Sequence, residues 1–102
     1  DGIIVGAKVG EEVVSPANGR VVNIEDTDRY GKVVTILLGN YYKAYCGQLD
    51  NVDYEIGDDI QEGDVLGTVA EPTKSFVLEG PNIFFKMTYK DKTVNPVKYL
   101  RV

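Results

Sequence analysis

The chain is built of short runs rich in Val, Ile, Tyr and Phe, cut apart every few residues by Gly, Asn, Asp or Pro. β-branched and aromatic residues favour extended backbone, and the punctuating residues favour reversals. Such runs place strands near 3–5, 12–14, 19–25, 32–38, 41–46, 65–69 and 82–89, with a short one near 92–94. Tight reversals are expected at Leu38-Gly39-Asn40-Tyr41 and at Lys90-Asp91-Lys92 before Thr93. No segment keeps a helical period over three turns. At 102 residues, 43% of them hydrophobic, the chain supports one modest core. The reading is an all-β domain over residues 1–102.

Two features stand out within this pattern. Val9-Gly10-Glu11-Glu12-Val13 precedes Gly19-Arg20-Val21-Val22, and Ile56-Gly57-Asp58-Asp59-Ile60 precedes Gly67-Thr68-Val69 in the same way. The echo is either two unrelated acidic turns or a duplicated β unit whose halves pack together. The second feature lies in Gly80-Pro81-Asn82-Ile83-Phe84-Phe85-Lys86-Met87-Thr88. Strand side chains alternate between faces, so Ile83, Phe85, Met87 and Tyr89 share an apolar face. Phe84 falls on the other face, among Asn82, Lys86 and Thr88.

Composition removes several functions. There is no histidine, the commonest metal ligand and the side chain best suited to acid–base work near neutral pH. A single cysteine, Cys46, excludes an internal disulfide framework and a multi-thiolate metal site, and it reads as a small apolar residue. A net charge of −5 with no basic run argues against nucleic acid, and no apolar run reaches membrane-span length. The acidic sets Asp58-Asp59 with Glu62 and Asp64, and Glu25-Asp26-Asp28, lack EF-hand spacing and read as solvated turns.

Three stretches, in order, resemble the LytM-type (M23, lysostaphin-like) zinc endopeptidase domain: "VGEEVVSPANGRVV" (9–22), "GKVVTILLGNYYKAYCGQLDNVDYEIGDDIQEGDVLGTV" (31–69) and "GPNIFFKMTYKDKTVNPVKYL" (80–100). The resemblance implies a two-sheet β-sandwich of the duplicated hybrid motif type, in line with the internal echo. It also implies a catalytic site that this sequence lacks. Aligned on the family's His-x-Gly-x-Asp motif, Gly2 takes the glycine and Ile4 the aspartate, and the histidine falls before residue 1. Gln48 takes the histidine of a Tyr-x-His-Leu pattern. Asn82 and Phe84 take the two histidines of Gly-Pro-His-x-His-Phe. A catalytic zinc requires about three protein ligands and an open water position. Ile4 and Phe84 offer no donor, Asn82 is a poor ligand and Gln48 cannot shuttle a proton. The expectation is therefore a pseudoenzyme with no cofactor, in which Ile4 and Phe84 fill the former metal site.

Tyr41, Tyr42 and Tyr45 are expected to cluster on the central hairpin near the groove, as partner or glycan contacts. Phe76-Val77-Leu78 stands where the family has a small polar approach, and reads either as a groove lid or as an exposed contact patch. The implied function is a protein-binding or assembly module in the bacterial cell envelope. The "YCGQLDNV" run (45–52) and the aromatic-filled last motif (80–85) are similar to the sporulation membrane proteins of this family, which sit between mother cell and forespore and regulate a membrane protease or channel complex. A weak peptidoglycan contact goes with this main reading, and the alternatives are an amidase-activating LytM factor in cell-wall remodelling and an unmodified biotinyl/lipoyl-like barrel-sandwich domain. The abrupt opening at Asp1-Gly2-Ile3 reads as a fragment of a longer, membrane-anchored, extracytoplasmic protein.

Overall fold

The computed structural model describes residues 2–98. The expected Asn95-Pro96-x-x-Tyr99-Leu100 ending therefore lies partly outside the described residues. β1 (Ile3–Gly6), β8 (Asn82–Tyr89), β5 (Tyr42–Asp50), β4 (Gly31–Gly39) and β3 (Gly19–Thr27) form an antiparallel sheet in that order, with β9 (Lys92–Val94) on β8 beyond β1. β2 (Glu12–Val14) pairs with β7 (Val65–Val69), and the two-residue β6 (Asp59–Ile60) pairs with the start of β3. The last residues of β5, Leu49 and Asp50, pair with Val69 and Thr68 of β7. One hydrogen-bonded network thus folds over itself into two layers, the all-β sandwich of the sequence reading.

The core lies between the layers. Val34, Ile36, Ala44, Cys46, Phe85 and Met87 from the large sheet pack with Val13, Ile60, Leu66 and Val69 from the smaller layer, each 7% exposed or less. Each large aliphatic side chain buried here contributes roughly 1.5–3 kcal/mol. Burying Cys46 pushes its thiol up from 9.0 to about 12, because the thiolate would lose its solvation.

The internal echo is real, and it has a third copy. Lys8-Val9-Gly10-Glu11, Glu55-Ile56-Gly57-Asp58 and Gln61-Glu62-Gly63-Asp64 are the same turn, each with glycine at positive φ. In each, the acid's side chain accepts from the N–H three residues back. In each, the glycine N–H and the acid's carbonyl close on a single facing residue: Val69, Val21 and Ser15 respectively. The carboxylates of Glu11, Asp58 and Asp64 are thus engaged in forming turns, while Asp59 pairs with Arg20 and Asp26 with Lys32.

Two details differ from expectation. The central hairpin turns on Asn40 (φ +51) and Tyr41 (φ +68), with Gly39 facing Tyr42, so Tyr41 belongs to the turn and β5 starts one residue later. β5 also runs on to Asp50 through a bulge: Lys32 and Val34, two apart, face Leu49 and Cys46, three apart. Gln48 sits in this bulge at φ +63.

Candidate functional site

On the face of the large sheet turned away from the core, alternation brings up Asn23, Glu25 and Thr27 from β3, Val33 and Thr35 from β4, Tyr45 from β5, and Phe84 and Lys86 from β8. With Tyr30 from the β3–β4 turn they line a groove of about 200 Å³. Phe84 is not a stray aromatic on a solvent face. Its ring stacks on Tyr30 at 4.1 Å and 22°, Phe76 lies 5.7 Å from Tyr30 and 6.4 Å from Phe84, and Phe84 is only 7% exposed. The space exists because Gly2 carries no side chain: a Cβ there would lie 2.6 Å from the Phe84 ring and 2.6 Å from the Phe85 carbonyl.

The other three sequence-predicted positions stand in different surroundings. Ile4 faces Phe84 across the β1–β8 ladder but stays 45% exposed. Phe84 thus packs with Tyr30 and Phe76, whereas Ile4, on edge strand β1, is left uncovered. Asn82 is fully buried; its Nδ2 donates to the Gly80 carbonyl at 2.8 Å, and its Oδ1 has no partner. Gln48 is 1% exposed and its amide is spent on Thr73, donating from Nε2 to Oγ1 and accepting the Thr73 N–H on Oε1, both at 3.3 Å. The Gln48 N–H donates to the Tyr30 carbonyl, and its own carbonyl accepts from Ala70. Thr73 in turn donates to the Arg29 carbonyl at 2.6 Å. Gln48 thus ties the loop that carries Tyr30 to the loop that leads to Phe76.

These residues do not fit a catalytic zinc. Ile4 and Phe84 have no donor atom and Gln48 is committed to Thr73. Asn82 Oδ1 is a single neutral oxygen where about three ligands are required. Among the described residues no group of three or more His, Cys, Asp or Glu is placed to hold a metal.

The three tyrosines do not cluster. Tyr45 lines the groove, with the Lys86 Nζ 4.8 Å from its ring centroid. Tyr42, three residues away along a strand, falls on the opposite face, half-buried against the core with Tyr89 at 4.7 Å. Tyr41 projects from the hairpin tip, 69% exposed. The run 76–78 also divides: Phe76 is buried in the aromatic cluster, while Val77 and Leu78 are 61% and 98% exposed. Sequence reasoning missed Tyr30, whose Asp28-Arg29-Tyr30-Gly31 setting reads only as a turn. It also missed Thr73, which no local pattern marks.

Two β layers of this topology, with a groove on the outer face of the larger one, define an all-β domain of lysostaphin-like architecture. Residues 1–96 match the sequence profile of peptidase family M23, and the chain belongs to that family. It is 27% identical over 100 residues to the murein hydrolase activator NlpD of Salmonella dublin, covering 97% of this chain and 26% of that protein. To the murein hydrolase activator EnvC of Escherichia coli it is 26% identical over 99 residues, 97% of this chain and 23% of that protein. A crystal structure described as a putative peptidase M23 from Pseudomonas aeruginosa superposes with a TM-score of 0.83 at 26% identity, over 94% of this chain and 41% of that one. The chain spans about a quarter of the length of these two activators.

Proposed function

We propose that this chain is a non-hydrolytic M23 domain that acts by binding a protein in the bacterial cell envelope, in the manner of a murein hydrolase activator. The observation that carries the reading is the Phe84 ring, stacked on Tyr30 at 4.1 Å in the position that resemblance gives to a zinc-binding histidine. Ile4, Gln48, Asn82 and Phe84 are read as the vestiges of that active site. The groove, with Tyr45 and Lys86 on one wall and the Tyr30–Phe84 stack at one end, is the contact surface for the partner. Similarity to NlpD and EnvC over almost the whole chain favours the activator role. The sporulation setting rests on the residue 45–52 run and the aromatic-filled last motif, and stands second. An envelope location, with anchoring through a segment outside this chain, belongs to the same proposal.

The test uses dye-labelled murein. The domain alone, with zinc supplied, is expected to release no dye, and to raise the release by a purified murein amidase from the same organism. Dye release by the domain alone that a zinc chelator abolishes would sink the non-hydrolytic reading. Unchanged amidase activity at saturating domain would sink the activator reading.

A further inference from the structure

The tips of the two hairpins at one end of the large sheet form a single platform. The Lys90 N–H donates to the Tyr41 carbonyl at 3.0 Å, and the Lys43 ammonium pairs with Asp91 at 3.2 Å. Between the tips lies a depression of about 440 Å³ lined by Leu37, Asn40, Tyr41, Lys43, Lys90 and Asp91. It is separate from the groove, with which it shares no residue.

Tyr41 is the exposed aromatic of this platform, and like Lys90 (φ +50) and Asp91 (φ +65) at the neighbouring tip it holds a positive φ. It occupies the second central position of a two-residue hairpin at φ +68, where glycine serves best and a bulky side chain is strained. Preceded by Asn40, a glycine here would complete Asn-Gly, the most favourable pair for this turn. The chain instead carries a large aromatic and leaves it 69% exposed. Strain and exposure are both unfavourable to the isolated domain, and a bound partner that covers the ring offsets them. The second observation is Lys90. Its Nζ stands 5.4 Å from the ring centroids of both Tyr41 and Tyr89, and it forms no ion pair among the described residues. With Lys43 neutralised by Asp91, Lys90 leaves the platform one unpaired positive charge on a chain whose net charge is −5.

We propose that the paired hairpin tips are a second docking surface, for an acidic face of a protein partner that closes over Tyr41 and sets a carboxylate against Lys90. Magnitudes favour a protein over an anionic membrane. One net charge near a charged bilayer enriches a protein only about fivefold, against the repulsion of the remaining acidic surface. Desolvating one tyrosine in a fitted pocket contributes more by itself, and a carboxylate on Lys90 adds to it.

The experiment uses the full-length protein in its own cells, with a photoreactive phenylalanine at position 41, at position 45 in the groove, or at exposed position 14 as a control. Position 41 is expected to trap a protein through a peptide containing Asp or Glu, with at least tenfold less adduct when Lys90→Glu is added. In the purified domain, Tyr41→Gly is expected to melt several degrees higher, yet to bind the trapped protein about 30-fold more weakly. The proposal is overturned if position 41 traps no more than position 14, or traps lipid or murein glycan. It is equally overturned if the adduct ignores Lys90→Glu, or if Tyr41→Gly lowers stability or leaves affinity intact. Loss of adducts at position 45 alone counts against the groove reading and leaves this one standing.

Discussion

Removing the Phe84 ring would leave a void bounded by Tyr30 and Phe76 and by the backbone that Gly2 allows so close. A buried Phe→Ala change of this kind costs about 3 kcal/mol. Phe84→Ala is therefore expected to lower the melting temperature by more than ~10 °C in thermal unfolding. Phe84→His is expected to release no dye from labelled murein even with zinc, because Ile4 and Gln48 still supply neither ligand nor base. Cleavage by that single variant would refute the positional assignment. Cys46 makes a separate prediction. Burial raises its thiol from 9.0 to about 12, so below pH 9 the thiol is protonated in both states and favours neither. Between about 9 and about 12 the unfolded chain gives up the proton and the folded chain keeps it, so stability falls as pH rises through that window. The slope approaches ~1.4 kcal/mol per pH unit. Denaturant titrations from pH 8 to 11 should show Cys46→Ala losing less stability with pH than the wild type, and a native thiol that resists alkylation at pH 8.

Gln48 acts at the scale of the element. A bulge in β5 turns its backbone to φ +63, and this directs a fully buried amide at Thr73 instead of along the strand. Gln48→Ala leaves Thr73 without both contacts and is expected to cost about 1–3 kcal/mol. Hydrogen exchange should quicken around residues 73–80 more than in β4. Equal protection in both segments would mean that Gln48 does not hold the loop. The same element shows how far sequence reading reaches. The long strands were legible because alternation and punctuation are local signals, and β6 was not, because two residues make no period. The bulge was hidden, since glutamine carries no mark of a positive φ. Tyr30 joins Phe84 and Phe76 only through contacts far apart in sequence, which no run of neighbours encodes. The separation of Tyr42 from Tyr45, however, was available: three residues apart in an extended strand, they had to face opposite ways.

At the scale of the whole molecule, what holds the two layers together bears directly on metal dependence. The apolar core between the layers, and the three glycine–acid turns that each close on a facing residue, hold the layers together from within the chain. The Tyr30–Phe84 stack lines the groove, with Phe76 packed against both rings. A ligand that binds only the folded state stabilises it by RT ln(1 + [L]/Kd), about 4 kcal/mol at a thousandfold excess over Kd. For a domain of this size, zinc at 1 mM acting on a micromolar site would raise the melting temperature by roughly 15–30 °C. The expected result here is no shift beyond ~1 °C, with zinc or with chelator, and the same null result for Phe84→His. A rise of 10 °C in the unaltered domain would show a metal site built from residues other than Ile4, Gln48, Asn82 and Phe84, and would count against the proposed non-hydrolytic role.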